Sequence, residues 1–200
     1  EISLSPKIDE LAKTELSFLW STAIDKKNNL YVAGGNEGKV YKIDQSGNVS
    51  MIFQVDEVQI YALAVDSKNN LYVGSSPKGR VYKFPLNKKV TVENSVFCDP
   101  EELYIWSLAV DKSNTLFVAT GDKGNIYKVS PDGKSVLFYE SEDVHVRKIV
   151  FDKSGNLIAA TADKGLVLKI NSTGKAFVLH DSPLVEISNL FVHRSGAIYA

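Results

Sequence analysis

A single cysteine, Cys98, stands among 200 residues, so no intrachain disulfide can form and the chain must hold itself by packing alone. Charge of one sign is missing too. Lys and Arg number 23 against 24 Asp and Glu, a formal net charge of −1, which leaves no whole-surface attraction to nucleic acid or anionic lipid. No apolar run approaches the roughly 18 residues of a membrane helix. A Gly-rich phosphate loop, a Cys or His metal spacing and a helix suited to a partner groove are all absent. No nucleic-acid or membrane partner, no cofactor and no metal are therefore expected. Cys98, beside Phe97, reads as core or loop filler, and it says little about compartment.

What is present is a repeat. The unit Ala-Val-Asp, a polar turn, Leu-Tyr-Val, a Gly and an apolar-aromatic-Lys segment recurs along the chain. Asp25, Asp66, Asp111 and Asp152 anchor it, with His193 in the fifth place, at spacings of 41, 45, 41 and 41. Gly38, Gly79, Gly124 and Gly165 keep the same step. Within one unit, Tyr61–Val65, Leu71–Val73, Arg80–Phe84 and Val90–Val92 are short runs rich in β-branched and aromatic residues, here called strands A, B, C and D. The A–B separators, such as Asp66-Ser-Lys-Asn-Asn70, have the chemistry of tight hairpins, because Asp can accept backbone N–H groups and Asn or Gly tolerates positive φ. Their oxygens do not alternate as a calcium loop requires. The four extra residues of the second unit fall around Pro85–Lys89 or Phe97–Pro100.

A four-stranded unit of this length is a propeller blade. The fold class is all-β: a β-propeller of four-stranded antiparallel blades at about 18–55, 59–99, 104–141 and 145–182, with partial blades at 1–13 and 187–200, in one domain over 1–200. Ile2 to Leu11 align loosely with a D strand, and the chain stops at Ala200 inside a B strand. A ring of five would still lack one C strand, so the chain reads as part of a larger ring. Otherwise its open edges could pair with another copy as an edge-to-edge oligomer.

The whole chain resembles the broad group of bacterial β-propellers that includes the NHL, two-component-regulator and gluconolactonase-like (SMP-30) types. Asp152-Lys-Ser-Gly-Asn-Leu-Ile-Ala-Ala160 and Asp122-Lys-Gly-Asn-Ile-Tyr-Lys128, with their counterparts in other blades, carry the resemblance. The Gly-His and Trp-Asp marks of WD40 repeats are absent. The resemblance implies that function lies on the D–A and B–C loops around the channel mouth. It also implies that a lactonase would hold a divalent cation by Glu, Asn and Asp, and only Asn189 stands near a comparable place here.

Candidate residues come from comparing columns across blades. Five residues before each anchor stand Trp20, Tyr61, Trp106, Arg147 and Ser188, and one later Ser21, Ala62, Ser107, Lys148 and Asn189. Three aromatics and two cations could bind a planar, sugar-like or anionic ligand by stacking and charge. The alternative is that Trp20, Tyr61 and Trp106 wedge between blades. Adjacent strand residues point to opposite faces, yet Arg147 and Lys148 could both project into solvent at the mouth and bind there, or one could pair with a carboxylate such as Asp143. His145 could act as a base, although no Ser or Cys nucleophile accompanies it, and no catalytic residue is assigned. The D–A loops are acidic in every blade and could attract a basic partner, or simply be solvated. Lys42, Lys83, Lys128 and Lys169 end strand C, where they could make a basic ring for a polyanion, or each stem could cover apolar surface while its ammonium stays wet.

The expected function is a non-catalytic binding or scaffold module that takes a protein or small-molecule ligand on the D–A and B–C face. The alternatives are a channel-site hydrolase or lyase of gluconolactonase-like type, and a sensory propeller of a signalling protein.

Overall fold

A computed structural model describes residues 9–88, 92 and 95–200. Four antiparallel units follow one another: β1 (Leu19–Ile24), β2 (Leu30–Gly34), β3 (Lys39–Ile43) and β4 (Val49–Gln54); β5 (Gln59–Val65), β6 (Asn70–Ser76), β7 (Val81–Pro85) and β8 (Val96–Cys98); β9 (Tyr104–Val110), β10 (Leu116–Gly121), β11 (Asn125–Val129) and β12 (Ser135–Glu140); and β13 (His145–Phe151), β14 (Leu157–Ala162), β15 (Leu166–Ile170) and β16 (Ala176–Asp181). A hairpin of β17 (Phe191–Val192) and β18 (Ile198–Tyr199) begins a fifth. Each strand pairs with the next within its unit. The third and fourth units also touch through one bridge, Gly121 to His145. Among the described residues no helix is long and apolar enough to cross a membrane.

The A strands stand side by side, β1 against β5, β5 against β9, β9 against β13 and β13 against β17. Most of the hydrophobic core lies between blades. Ala33, Val40 and Val55 of the first pack with Ile60, Leu71 and Val73 of the second, and Phe117, Ala119 and Ile126 of the third with Val146, Ile149 and Leu157 of the fourth. The B strands are buried along their length, as Leu116–Gly121 shows. That explains why their sequence runs apolar instead of alternating. The fold is a β-propeller.

The anchoring aspartates build the A–B hairpins. One Asp66 oxygen accepts the Lys68 and Asn70 amides at 2.9 and 2.8 Å, and the other accepts Asn70 Nδ2 at 2.7 Å and the Tyr72 hydroxyl at 3.2 Å. Asp25 repeats the set with Lys27, Asn29 and Tyr31. Burial alone would raise the Asp25 carboxyl, but hydrogen bonds from Asn29, Lys27 and Tyr31 outweigh it and hold it below its ordinary value. His193 substitutes in the fifth hairpin, where its Nδ1 accepts the Ser195 amide at 3.2 Å. The B–C turns close on glycine for a steric reason. Gly79 has φ +61°, and a Cβ there would stand 1.5 Å from the Glu102 carbonyl oxygen.

Two expectations are narrowed, and a third lies mostly outside the described residues. The extra residues of the second blade fall between β7 and β8, the first of the two places considered, and Phe97 and Cys98 belong to a strand. Strand D of that blade is Val96–Cys98; of Val90–Val92, residues 90 and 91 lie outside the described residues. Of Ile2–Leu11, only 9–11 are described, and they form no strand.

Cys98 is buried against the second and third blades, near Ile105 and Val129. Burial, with Asp99 nearby, pushes its thiol up to about 12. A thiol-disulfide reagent such as dithionitrobenzoate should therefore leave the native chain unlabelled at pH 8 and modify one thiol once denaturant is added. Rapid native labelling would mean that β8 opens locally.

Candidate functional site

Each of the first four A strands carries one extra residue at the same place. In the first blade Leu19 pairs with Gly34 and Ser21 with Ala33, so Trp20 is left over. The same skip leaves out Tyr61 between Ile60 and Ala62, Trp106 between Ile105 and Ser107, and Arg147 between Val146 and Lys148. These are β-bulges, which bend a strand and re-aim its side chains. The bulge interrupts the two-residue alternation that would otherwise send Arg147 and Lys148 to opposite faces. Both line one cleft.

That cleft, of about 390 Å³, is formed by Trp20, Tyr61, Trp106, Arg147, Lys148, Ser188 and Asn189, where the A strands converge. Its wall is a run of rings: Trp20 to Tyr61 at 6.0 Å, Tyr61 to Trp106 at 4.6 Å, and the Arg147 guanidinium 4.0 Å from the Trp106 ring. Trp20 is 51% exposed, whereas Tyr61 and Trp106 are half-buried. The rings contact one another across blades and also face the cleft, so packing and an open surface coexist in one column.

A second column, two residues earlier in the chain, supports the first. It reads Phe18, Gln59, Tyr104, His145 and Glu186. Phe18 stacks on Trp20 at 5.5 Å and Tyr104 on Trp106 at 5.1 Å. Gln59 accepts the Tyr61 hydroxyl. Glu186 pairs with Arg147 Nε at 2.8 Å, so Glu186 and not Asp143 is the partner of that arginine. Asp143 instead accepts the Lys164 amide at 3.0 Å. His145 Nδ1 accepts Trp106 Nε1 and the Asp122 amide, each at 3.3 Å. Burial first, then Arg147, lower the His145 pKa. The ring therefore stays neutral near pH 7, as acceptance at Nδ1 requires.

Sequence reading singled out only His145 of this column, and one signal could have found the rest. Ten residues after each anchor stand Gly35, Ser76, Gly121 and Ala162. The two glycines occur in the two blades with tryptophan. A Cβ on Gly121 would lie 2.1 Å from Trp106 Nε1 and 2.6 Å from His145 Nδ1, and one on Gly35 3.2 Å from Trp20 Nε1. Small residues there make room for the indoles.

The remaining charged groups are largely absorbed by the fold. Glu57 and Glu102 of the acidic D–A loops turn inward, accepting the Tyr82 hydroxyl at 3.3 Å and the Tyr127 hydroxyl at 2.7 Å. Lys83 lies 4.5 Å from the Phe97 ring, and Lys169 pairs with Asp152 at 3.1 Å. Among the described residues, no group of three or more His, Cys, Asp or Glu is placed to hold a metal ion.

No family model and no curated protein matches the sequence. Solved structures do match in shape. Virginiamycin B lyase from Staphylococcus aureus superposes with a TM-score of 0.75 at 11% identity, covering 90% of this chain and 61% of that one. The gluconolactonase XC5397 from Xanthomonas campestris gives 0.74 at 14% identity, covering 94% and 69%. A chain of the nidogen/laminin complex gives 0.64 at 14% identity, covering 80% and 65%. This chain thus spans 61% of the length of the lyase. At such identities the likeness is one of fold, and the chain is a β-propeller whose solved neighbours include virginiamycin B lyase and gluconolactonase-like proteins.

Proposed function

We propose that the chain is a binding propeller that takes a small ligand with a flat face and an anionic group in the cleft between Trp20 and Asn189. The observation that carries this reading is the bulge repeated in four A strands, which turns Trp20, Tyr61, Trp106 and Arg147 onto one cleft. Ring faces offer stacking, and aromatic pairs contribute about 0.5–1.5 kcal/mol beyond area burial. Charge adds direction. Arg147 is already balanced by Glu186, but Lys148 brings a cation with no carboxylate of its own among the described residues, and it supplies the attraction for an anion.

Calorimetry with two ligands of one shape tests this. 2-Naphthoate should bind at least tenfold more tightly than the neutral 2-naphthamide, and added salt should narrow the gap. Equal affinities would remove the charge from the reading. Failure of both to bind would remove the cleft.

A further inference from the structure

Lys148 departs from the two serines of its own column in a way that leaves an amine unused by the fold. In the first blade Ser21 Oγ accepts the Leu63 amide at 2.9 Å, and in the third Ser107 Oγ accepts the Ile149 amide at 3.1 Å. Each bond ties an A strand to the next. The same 42-residue step from Lys148 leads to the amide of Leu190, which donates instead to Asn189 Oδ1 at 2.9 Å. An ammonium has donors and no acceptor, so lysine cannot take the serine's part, and Asn189 satisfies the amide in its place.

The amine is also unclaimed by charge. Arg147 next to it is held by Glu186 and the Trp106 ring, yet among the described residues no carboxylate lies within ion-pair distance of Lys148 Nζ. It stands half-buried in the aromatic cleft beside Tyr61 and Trp106. Burial lowers the pKa of its ammonium, so the cation that draws an anion in gives up its proton more readily than an exposed lysine does. A desolvated lysine in an apolar pocket is the form that attacks carbonyl carbon.

We infer that Lys148 is a carbonyl-capturing amine, which condenses reversibly with the aldehyde or ketone group of a flat, conjugated ligand seated against the ring wall. The nitrogen lone pair adds to the carbonyl carbon, and the two N–H protons end on the carbonyl oxygen. That oxygen leaves as water, and a carbon–nitrogen double bond remains. Nothing is oxidised or reduced, and water reverses the step. The inference rests on the cleft being a site for a flat ligand, and the experiment separates the two.

The folded chain is incubated at pH 7.5 with 2-naphthaldehyde and sodium cyanoborohydride, which fixes an imine as a stable secondary amine, and is then digested for peptide mass spectrometry. The expected adduct sits on Lys148 at least tenfold above any other lysine, is suppressed by 2-naphthoate, and is lost in Lys148→Arg, which keeps the charge. Lys148→Met serves the same purpose should the arginine fail to fold. Even labelling of all lysines overturns the inference. If 2-naphthoate still binds by calorimetry in that case, the cleft reading survives alone; if it does not, both fall.

Discussion

Asp66→Ala is expected to destabilise the chain by about 3 kcal/mol, a fall of roughly 6–12 °C in Tm for a domain of this size. The reason is that one buried carboxylate, 4% exposed, satisfies two backbone amides, an Asn70 side-chain amide and the buried Tyr72 hydroxyl. Hydrogen bonds to a charged group contribute about 1.5–3 kcal/mol each and do not add fully. Asp44 provides an internal control. It accepts the same three nitrogen donors, from Ser46 and Asn48, at 2.9 Å, but at an exposed turn where water can replace it. Asp44→Ala should therefore cost far less. Equal losses by thermal denaturation would show that burial is not what makes the hairpin aspartates matter. Acid should weaken the equivalent network of the first blade: the Asp25 carboxyl is held below its ordinary value of 3.8, so its contribution is complete above that pH and disappears as pH falls through the lowered folded value.

Trp106→Ala is expected to weaken 2-naphthoate binding by roughly 10–100-fold, about 1.4–2.8 kcal/mol, while leaving the chain folded. Trp106 is the centre of the ring wall: it meets Tyr61 at 4.6 Å, stacks on Tyr104 at 5.1 Å and carries the Arg147 guanidinium at 4.0 Å. Removing it takes away a stacking face and releases Arg147 and His145 from their positions. The indole is only half-buried, so the stability cost should be well below that of a core deletion. A variant with lowered Tm and unchanged affinity would return the column to packing between blades.

How much of this was readable beforehand differs by level. The 41-residue step and the Asp, Asn and Gly chemistry of the turns are local properties, so the blades and hairpins follow from short stretches such as Asp66–Asn70. The clustering of Trp20, Tyr61, Trp106 and Arg147 also followed from column comparison, because stacked repeats turn a period in sequence into neighbours in space. The break in alternation was not readable. A bulge adds a residue without changing residue type, so nothing in Val146-Arg147-Lys148 announces that both cations share a cleft. Partner choice was equally hidden. Asp143 is four residues from Arg147 and Glu186 is 39 away, yet Glu186 arrives on the next blade at the height of the guanidinium. The glycine at 121 was visible, but its meaning depended on knowing that Trp106 and His145 meet above it.

The most direct test uses the only two tryptophans in the chain, both in the cleft wall. Two indole N–H resonances should appear in a proton–nitrogen spectrum of the labelled protein, and Trp106→Phe assigns them. Titration with 2-naphthoate should shift both along one saturating curve that matches the calorimetric affinity, with 2-naphthamide moving them far less. Indole signals that stay fixed while the ligand shifts amides elsewhere would contradict a ligand site at this mouth.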